Sequence, residues 1–306
     1  MKTPNFFAET GLERMAERRT DSEWLQELLH SSRTRFLPIW RNQNLLQKDA
    51  KSPIPVRLTF NEIKIAWKNS HSVVFMGFRD GSAHFALDIS HLRDPYELPA
   101  IKRTGNFDDI REISLQMPRQ DSGLLAYARA ITHWHQTHKY CGRCGKECET
   151  REGGHMRQCL NPDCNTQHFP RTDPAVIMLV SDKDKIILAR KKGWPEDRYS
   201  ILAGFVEPGE SLEGAVKREV LEEVGVDITN IRYHSSQPWP FPSNLMLGFF
   251  ADAKNTKLKI CDEELEDARW FGREELIEEA KLYEKKPHSV SIARRLIAEW
   301  ALGYNH

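Results

Sequence analysis

The chain lacks net charge: 44 Lys and Arg stand against 44 Asp and Glu in 306 residues. A protein that coats nucleic acid or holds a membrane surface through bulk basic charge is thereby disfavoured, although a local patch such as residues 190–192 is not. The chain also has no run near the roughly 18 apolar residues that a membrane helix needs. Its opening, MKTPNFFAETGLERMAERRT, carries neither the apolar stretch nor the cleavage site of a secretory leader. These absences predict a soluble, cytoplasmic protein without a membrane partner. Internal repeats and low-complexity tracts are missing too, which leaves ordinary globular domains. At roughly 100–200 residues per domain, the length suits two domains with a small piece between them.

Cysteine is sparse and unevenly placed. Cys141, Cys144, Cys148, Cys159 and Cys164 fall close together, and Cys261 stands alone. In a reducing compartment such a cluster points to a metal and not to disulfides. Cys141 and Cys144 have two residues between them, and Cys159 and Cys164 have four. Two such turns fill a tetrahedral zinc shell, with Gly142 and Gly145 bending the first and Asn161-Pro162-Asp163 the second. Cys148 competes as a ligand, and His155 or His168 is a further alternative. A closed four-cysteine shell is structural, so one zinc ion per chain is assigned to folding, as a clasp between the two halves.

Before residue 120 no chemical motif is legible. SVVFMGFRD and SAHFALDIS, split by Asp80-Gly81, read as a hairpin and predict an antiparallel sheet. Leu124, Leu125, Ala128, Ile131 and Trp134 recur at helical spacing, with Asp121 or Ser122 as the N-cap. Residues 173–190 read as two strands about a polar turn at 182–185. A glycine-bearing loop over 202–210 follows, then a helix over about 211–224, strands near 231–234 and 245–251, and a C-terminal helix near 289–302. The second half is thus a helix-on-sheet α/β domain.

The segment GFVEPGESLEGAVKREVLEEVGV carries the chemistry. On a helix, Glu219, Glu222 and Glu223 share one side, opposite an apolar stripe of Leu212, Ala215, Val216, Val220 and Val224. Three crowded carboxylates raise one another's pKa values unless a cation lies among them. Hard oxygen ligands suit Mg²⁺ or Mn²⁺, and the chemistry they support is attack of water on phosphorus. A solvated acidic helix face is the plain alternative, and the accompanying glycines and arginine argue against it.

The full pattern resembles the Nudix box, and the chain is similar to the Nudix hydrolases, which cleave a nucleoside diphosphate linked to another moiety. The resemblance implies divalent-ion ligands at Glu219, Glu222 and Glu223 and at the carbonyl of Ala203. It implies an Arg218–Glu210 ion pair, loop turns at Gly204 and Gly209, and a left-handed helix cap at Gly225. Past the box, SQPWPFP resembles the signature of the NADH pyrophosphatase branch, with Asn244 in place of its final serine and Ser243 just before it. The prolines Pro238, Pro240 and Pro242 alternate with Trp239 and Phe241, which predicts a stiff extended run suited to stacking on a flat ring.

That branch also carries a zinc ribbon directly before its catalytic domain. The resemblance therefore implies a Nudix α/β/α sandwich preceded by the ribbon and a divergent mixed N-terminal domain. The expected division is 1–139, 140–170 and 171–306. By position it implies substrate contacts at Phe169, Gln237, Pro238, Trp239, Pro240, Phe241, Pro242, Ser243, Asn244 and Ala293. It implies a metal or base role for Glu264, taken by register against Trp270 from the acids crowded over 262–267. The implied reaction hydrolyses NADH and NAD⁺ to AMP and nicotinamide mononucleotide with two to three Mg²⁺ or Mn²⁺ ions, in a homodimer. Removal of NAD caps from RNA is an alternative use of the same site, and a non-catalytic nucleotide sensor is disfavoured by the complete carboxylate set.

Overall fold

The structure is a computed structural model that describes residues 3–47, 52–67, 70, 72–261, 263–285 and 289–304. The chain forms two compact units, one of Glu9–Thr172 with Pro240–Ser243 and one of Met1–Ala8, Asp173–Trp239 and Asn244–His306. No helix among the described residues is long and apolar enough to cross a membrane.

The first unit is built on five strands: β1 (Arg35–Trp40), β2 (Gln43–Gln47), β3 (Ser72–Arg79), β4 (Ser82–Asp88) and β5 (Gly105–Asp108). Their order is β3-β4-β1-β2-β5. The β3–β4 hairpin read from Asp80-Gly81 is present, with Asp80 at φ 52° and Gly81 at φ 71°. The sheet as a whole is mixed, because β1 runs parallel to β4. Phe36, Phe75 and Phe85 form the centre of its core.

The helix Arg119–Thr137 buries Leu124, Leu125, Ala128, Ile131 and Trp134, as their spacing predicts. Its start differs from the expectation: the helix begins after Pro118, and neither Asp121 nor Ser122 is the cap. Asp121 instead accepts from Arg57 and Arg79, each at 2.8 Å. A carboxylate with two guanidiniums in reach is held more strongly by them than by one backbone N–H.

The same unit contains a small sheet of β6 (Cys148–Arg151), β7 (Met156–Cys159) and β8 (Gln167–His168), which carries the cysteine cluster. His155, an alternative ligand in the sequence, lies elsewhere: its Nε2 is 2.8 Å from the Phe75 carbonyl. The ribbon is therefore integrated with the N-terminal sheet.

The other unit is a six-stranded sheet flanked by helices. Its strands are β9 (Asp173–Asp182), β10 (Lys185–Lys191), β11 (Leu202–Phe205), β12 (Ile228–Trp239), β13 (Asn244–Ala253) and β14 (Leu265–Gly272). Their order is β12-β13-β9-β10-β14, with β11 paired to β9. The nearly continuous apolar run of β9 is buried because both sheet faces are covered. The helix Leu212–Val224 covers one face through Ala215, Val216, Val220 and Val224. The helix Ile292–Ala301 covers the other through Ile292, Leu296 and Ile297. This is the Nudix-type α/β arrangement with a separate mixed N-terminal domain and a ribbon before it.

Two local expectations change. The segment 202–210 is not wholly a loop, since Leu202–Phe205 adds a strand to β9. The run through Trp239 and Phe241 is a hairpin: Trp239 ends β12, Pro240–Ser243 turns, and Asn244 opens β13 opposite Trp239. Pro240 and Pro242 have no N–H to extend the ladder, so the pairing stops there.

The N-terminal residues are clasped by this unit. Asn5 Nδ2 donates to Ser235 Oγ (2.9 Å) and to the Ser236 carbonyl (2.8 Å). Arg295 donates to the carbonyl of Thr3 (2.7 Å) and to Asn5 Oδ1 (2.9 Å). His234 and Arg295 both bond Glu299, at 2.8 and 2.7 Å. Burial would push the Glu299 carboxyl up, but its bonds to His234 and Arg295 outweigh that and bring it to about 2. A depressed folded pKa stabilises above the unfolded value near 4.5 and is lost as pH falls toward 2. Glu299→Gln should therefore cost up to about 3 kcal/mol at pH 7, with the difference from wild type closing by pH 3 to 2 in urea titrations.

Candidate active site

The helix Leu212–Val224 is framed by its own sequence. Ser211 Oγ accepts from Gly214 N at 3.1 Å, satisfying an N-terminal donor. Gly225 ends the helix at φ 68°, a conformation that a side chain would strain. The C-terminal carbonyls are also used: Lys259 N donates to Val224 O and Cys261 N to Glu223 O, at 2.8 and 3.0 Å. That docking brings the chain bearing Glu264 onto the end of the helix. Asp262, part of the expected acidic cluster, lies outside the described residues.

The three helix carboxylates occupy different environments. Arg218 is their organiser: it donates to Glu210 (2.7 and 2.9 Å), to Glu219 (2.8 Å) and to Glu222 (3.1 Å). Its remaining reach goes to the Phe205 carbonyl at 2.8 Å. The Arg218 fork and the Glu207 N–H bring Glu210 down to about 2. Glu222 is mostly exposed, whereas Glu223 is 2% exposed among the valines that anchor the helix. Burial pushes Glu223 up to about 7, Lys191 opposes this, and the charges of Glu219 and Glu264 add to it. Glu264 itself is exposed.

Glu223 Oε2 is buried with no hydrogen-bond partner. An unpaired buried carboxylate oxygen is costly, and a divalent cation removes that cost. The oxygen-only donor set is the kind that Mg²⁺ and Mn²⁺ prefer. The residues present therefore fit a divalent ion. Among the described residues, groups of three or more metal-ligating atoms within 4.8 Å of one another occur only in the cysteine cluster.

Gly204 explains how strand and helix come so close. A Cβ at that position would lie 1.9 Å from Glu219 Cδ, so the carboxylate occupies the volume that any other residue would fill. Ala203 precedes it in β11, opposite Ile177. Gly209 has open space but takes φ 90°, so its requirement is conformational. Phe205, which the sequence reading missed, is 56% exposed directly after Gly204. Its only sequence signal was a lone aromatic residue inside the glycine loop.

The expected substrate residues separate into distinct places. Phe169 is 60% exposed in the N-terminal unit, to which Pro240–Ser243 also belongs. Arg129 bonds the carbonyls of Asn42 (3.0 Å) and Pro240, and lies 4.6 Å from the Phe241 ring centre. Pro238, Trp239, Asn244 and Ala293 belong to the other unit, and Ala293 is buried. Gln237 is fully buried and its amide is engaged by the protein: Nε2 donates to Phe6 O and Val290 O, and Oε1 accepts from Ile292 N. Gln237→Ala should strand these three backbone groups and cost about 3 kcal/mol in urea unfolding.

In the ribbon, Sγ atoms of Cys141 and Cys164 are 3.8 Å apart and those of Cys144 and Cys159 are 3.4 Å apart. Sulfurs on one tetrahedral zinc are spaced by about 3.8 Å. Burial pushes the Cys159 thiol up to about 12, while Cys141, also opposed by burial, is brought to about 5 by the backbone N–H groups of Cys144 and Arg143. Neighbouring thiols pulled apart in this way share protons that a zinc ion replaces.

A box helix on a mixed sheet, a buried metal-seeking glutamate and a cysteine ribbon define a metal-dependent hydrolase. Comparison with known proteins agrees. Residues 171–294 match the NUDIX domain, residues 33–134 the NADH pyrophosphatase-like rudimentary NUDIX domain, and residues 136–169 the NADH pyrophosphatase zinc ribbon domain. The human NAD-capped RNA hydrolase NUDT12 is 34% identical, over 97% of this chain and 73% of its own length. The NAD-capped RNA hydrolase of Schizosaccharomyces pombe is 37% identical, over 97% of this chain and 92% of its own. NAD-capped RNA hydrolase NudC of Stutzerimonas stutzeri is 40% identical, over 72% of this chain and 75% of its own. The chain belongs to the Nudix hydrolase family, in the branch that joins a rudimentary NUDIX domain and a zinc ribbon to the catalytic domain.

Proposed function

We propose that the chain hydrolyses the diphosphate bond of NADH, and of NAD⁺, to AMP and nicotinamide mononucleotide. The observation that carries this reading is the buried Glu223 carboxylate, whose Oε2 has no hydrogen-bond partner, beside the Arg218-ordered Glu210, Glu219 and Glu222. Two to three Mg²⁺ or Mn²⁺ ions would neutralise the diphosphate and lower the pKa of an attacking water. Glu219, Glu222, Glu223, Glu264 and the Ala203 carbonyl are assigned as their ligands. Arg218 and Glu210 hold the loop and helix in register, and one of Glu222, Glu223 and Glu264 takes the proton from water.

The exposed Phe205 ring is assigned to base stacking. Phe169, residues 237–244 and Ala293 are assigned to further substrate contacts, Gln237 and Ala293 being buried. The functional division is 1–139, 140–170 with one structural zinc, and 171–306. We place the protein in the cytoplasm as a homodimer.

The names of the relatives favour a second reading, removal of NAD caps from RNA by the same site. A substrate panel of NADH, NAD⁺, ADP-ribose and NAD-capped RNA, with products resolved in Mg²⁺ and Mn²⁺, tests both. Equal or greater kcat/KM on capped RNA would make RNA the substrate, whereas preference for free NADH would support the first reading. Failure to cleave any member contradicts the assignment.

A further inference from the structure

The ribbon contains more ligands than one zinc ion uses. Besides the four-cysteine set, Cys141, Cys148 and His168 place their ligand atoms within 4.8 Å of one another. The two sets share Cys141. His168 Nε2 is already 3.3 Å from Cys141 Sγ, near the roughly 3.5 Å expected of nitrogen and sulfur on a common zinc.

Backbone pairing explains why Cys148 is so close. It opposes Cys159 in the β6–β7 ladder. Both backbone N–H groups point outward, from Cys148 to Lys139 O and from Cys159 to Thr166 O, at 2.9 and 3.0 Å. Such a non-hydrogen-bonded pair is the antiparallel position at which side chains approach most closely. The Cys148 carbonyl is pinned as well, by Arg157 at 2.6 Å.

Exposure divides the ligands into two groups. Cys141, Cys148 and Cys159 are buried, Cys164 is partly exposed, and Cys144 is exposed. The ligands most open to alkylation or oxidation therefore belong to the four-cysteine set, and the buried Cys148 stands behind them. We propose that Cys148 and His168 are reserve zinc ligands: when Cys144 leaves the shell, the ion passes to a shell of Cys141, Cys148 and His168 with a water molecule as fourth ligand, and Cys159 and Cys164 are released as thiols. The ribbon then keeps its metal, and its fold, after losing an exposed thiolate.

This inference rests on the zinc reading of the ribbon, and its test separates the two. In the full-length zinc-loaded protein, the rate of zinc transfer to a chromogenic chelator is measured for wild type, C144S, C148S, C144S/C148S and C144S/H168A. C148S alone should match wild type, and C144S should release zinc less than about tenfold faster. Each double variant should release it at least tenfold faster than C144S. With Co²⁺ in place of zinc, C144S should show weaker sulfur charge-transfer absorption and a tetrahedral spectrum that disappears in C144S/H168A.

If C144S does not fold, maleimide modification of the folded wild-type protein at Cys144 replaces it; zinc should stay in wild type and leave in H168A. Release from C144S as fast as from the double variants overturns the proposal, as does an unchanged rate in the doubles or prompt loss from the modified wild type. A wild-type protein that binds no zinc overturns the ribbon reading itself.

Discussion

Glu223→Gln is expected to lower kcat by about 10³-fold or more while leaving the fold intact, a loss of about 4 kcal/mol or more in transition-state stabilisation. Gln keeps the size and loses the charge that a divalent ion requires. Stability should move the other way in metal-free protein. The Glu223 carboxyl is raised to about 7 by burial, so between pH 4.5 and 7 the unfolded chain ionises while the folded one retains its proton. Metal-free wild type therefore loses stability as pH rises through that window, by up to about 3 kcal/mol. Glu223→Gln should lack this slope and be the more stable protein at pH 8. Adding Mg²⁺ should reverse the order, because only wild type gains the bound ion. Thermal unfolding at pH 5 and 8, with and without Mg²⁺, checks both signs.

Gly204→Ala should separate catalysis from stability in another way. The new Cβ would fall 1.9 Å from Glu219 Cδ and about as close to its oxygens. What must move is the end of a flexible side chain, not a backbone, so the fold should lose no more than about 1 kcal/mol. The displaced carboxylate is bonded to Arg218 at 2.8 Å and is assigned to the metal, so both contacts are disturbed. Activity should fall by about 10²-fold, with half-saturation shifted to higher Mg²⁺ concentration. A melting temperature that falls by more than 8 °C with normal kcat in the surviving protein would contradict this account of Gly204.

The box helix was legible because its information is local: Ser211 caps it, Gly225 ends it, and apolar residues recur on one face. The different fates of adjacent Glu222 and Glu223 were not. One step of about 100° along the helix turns Glu223 into the core beside Val220 and Val224, and only the sheet behind them defines where the core begins. The cysteine cluster was legible by spacing, whereas the proximity of Cys148 to Cys159 depends on strand register, which the sequence does not spell out.

The N-terminal clasp through Asn5, Phe6, Gln237 and Arg295 joins residues 231 to 290 apart in the chain and has no local pattern at all. Asp121 shows the same limit from the opposite side. It sits where a cap is expected, yet Arg57, from the segment after β2, and Arg79, at the end of β3, take its carboxylate. In the proline hairpin, the composition signalled rigidity, but the partner strand β13 decided that the rigid piece turns back.

The proposed reaction of this carboxylate set is cleavage of a dinucleotide between its phosphorus atoms. Product analysis of NADH turnover in ¹⁸O-labelled water tests it most directly. The account predicts Mg²⁺- or Mn²⁺-dependent formation of AMP and reduced nicotinamide mononucleotide, with one ¹⁸O on a newly formed phosphate and no turnover in excess chelator. Release of free nicotinamide, or cleavage that is indifferent to divalent ions and to Glu223→Gln, would contradict it.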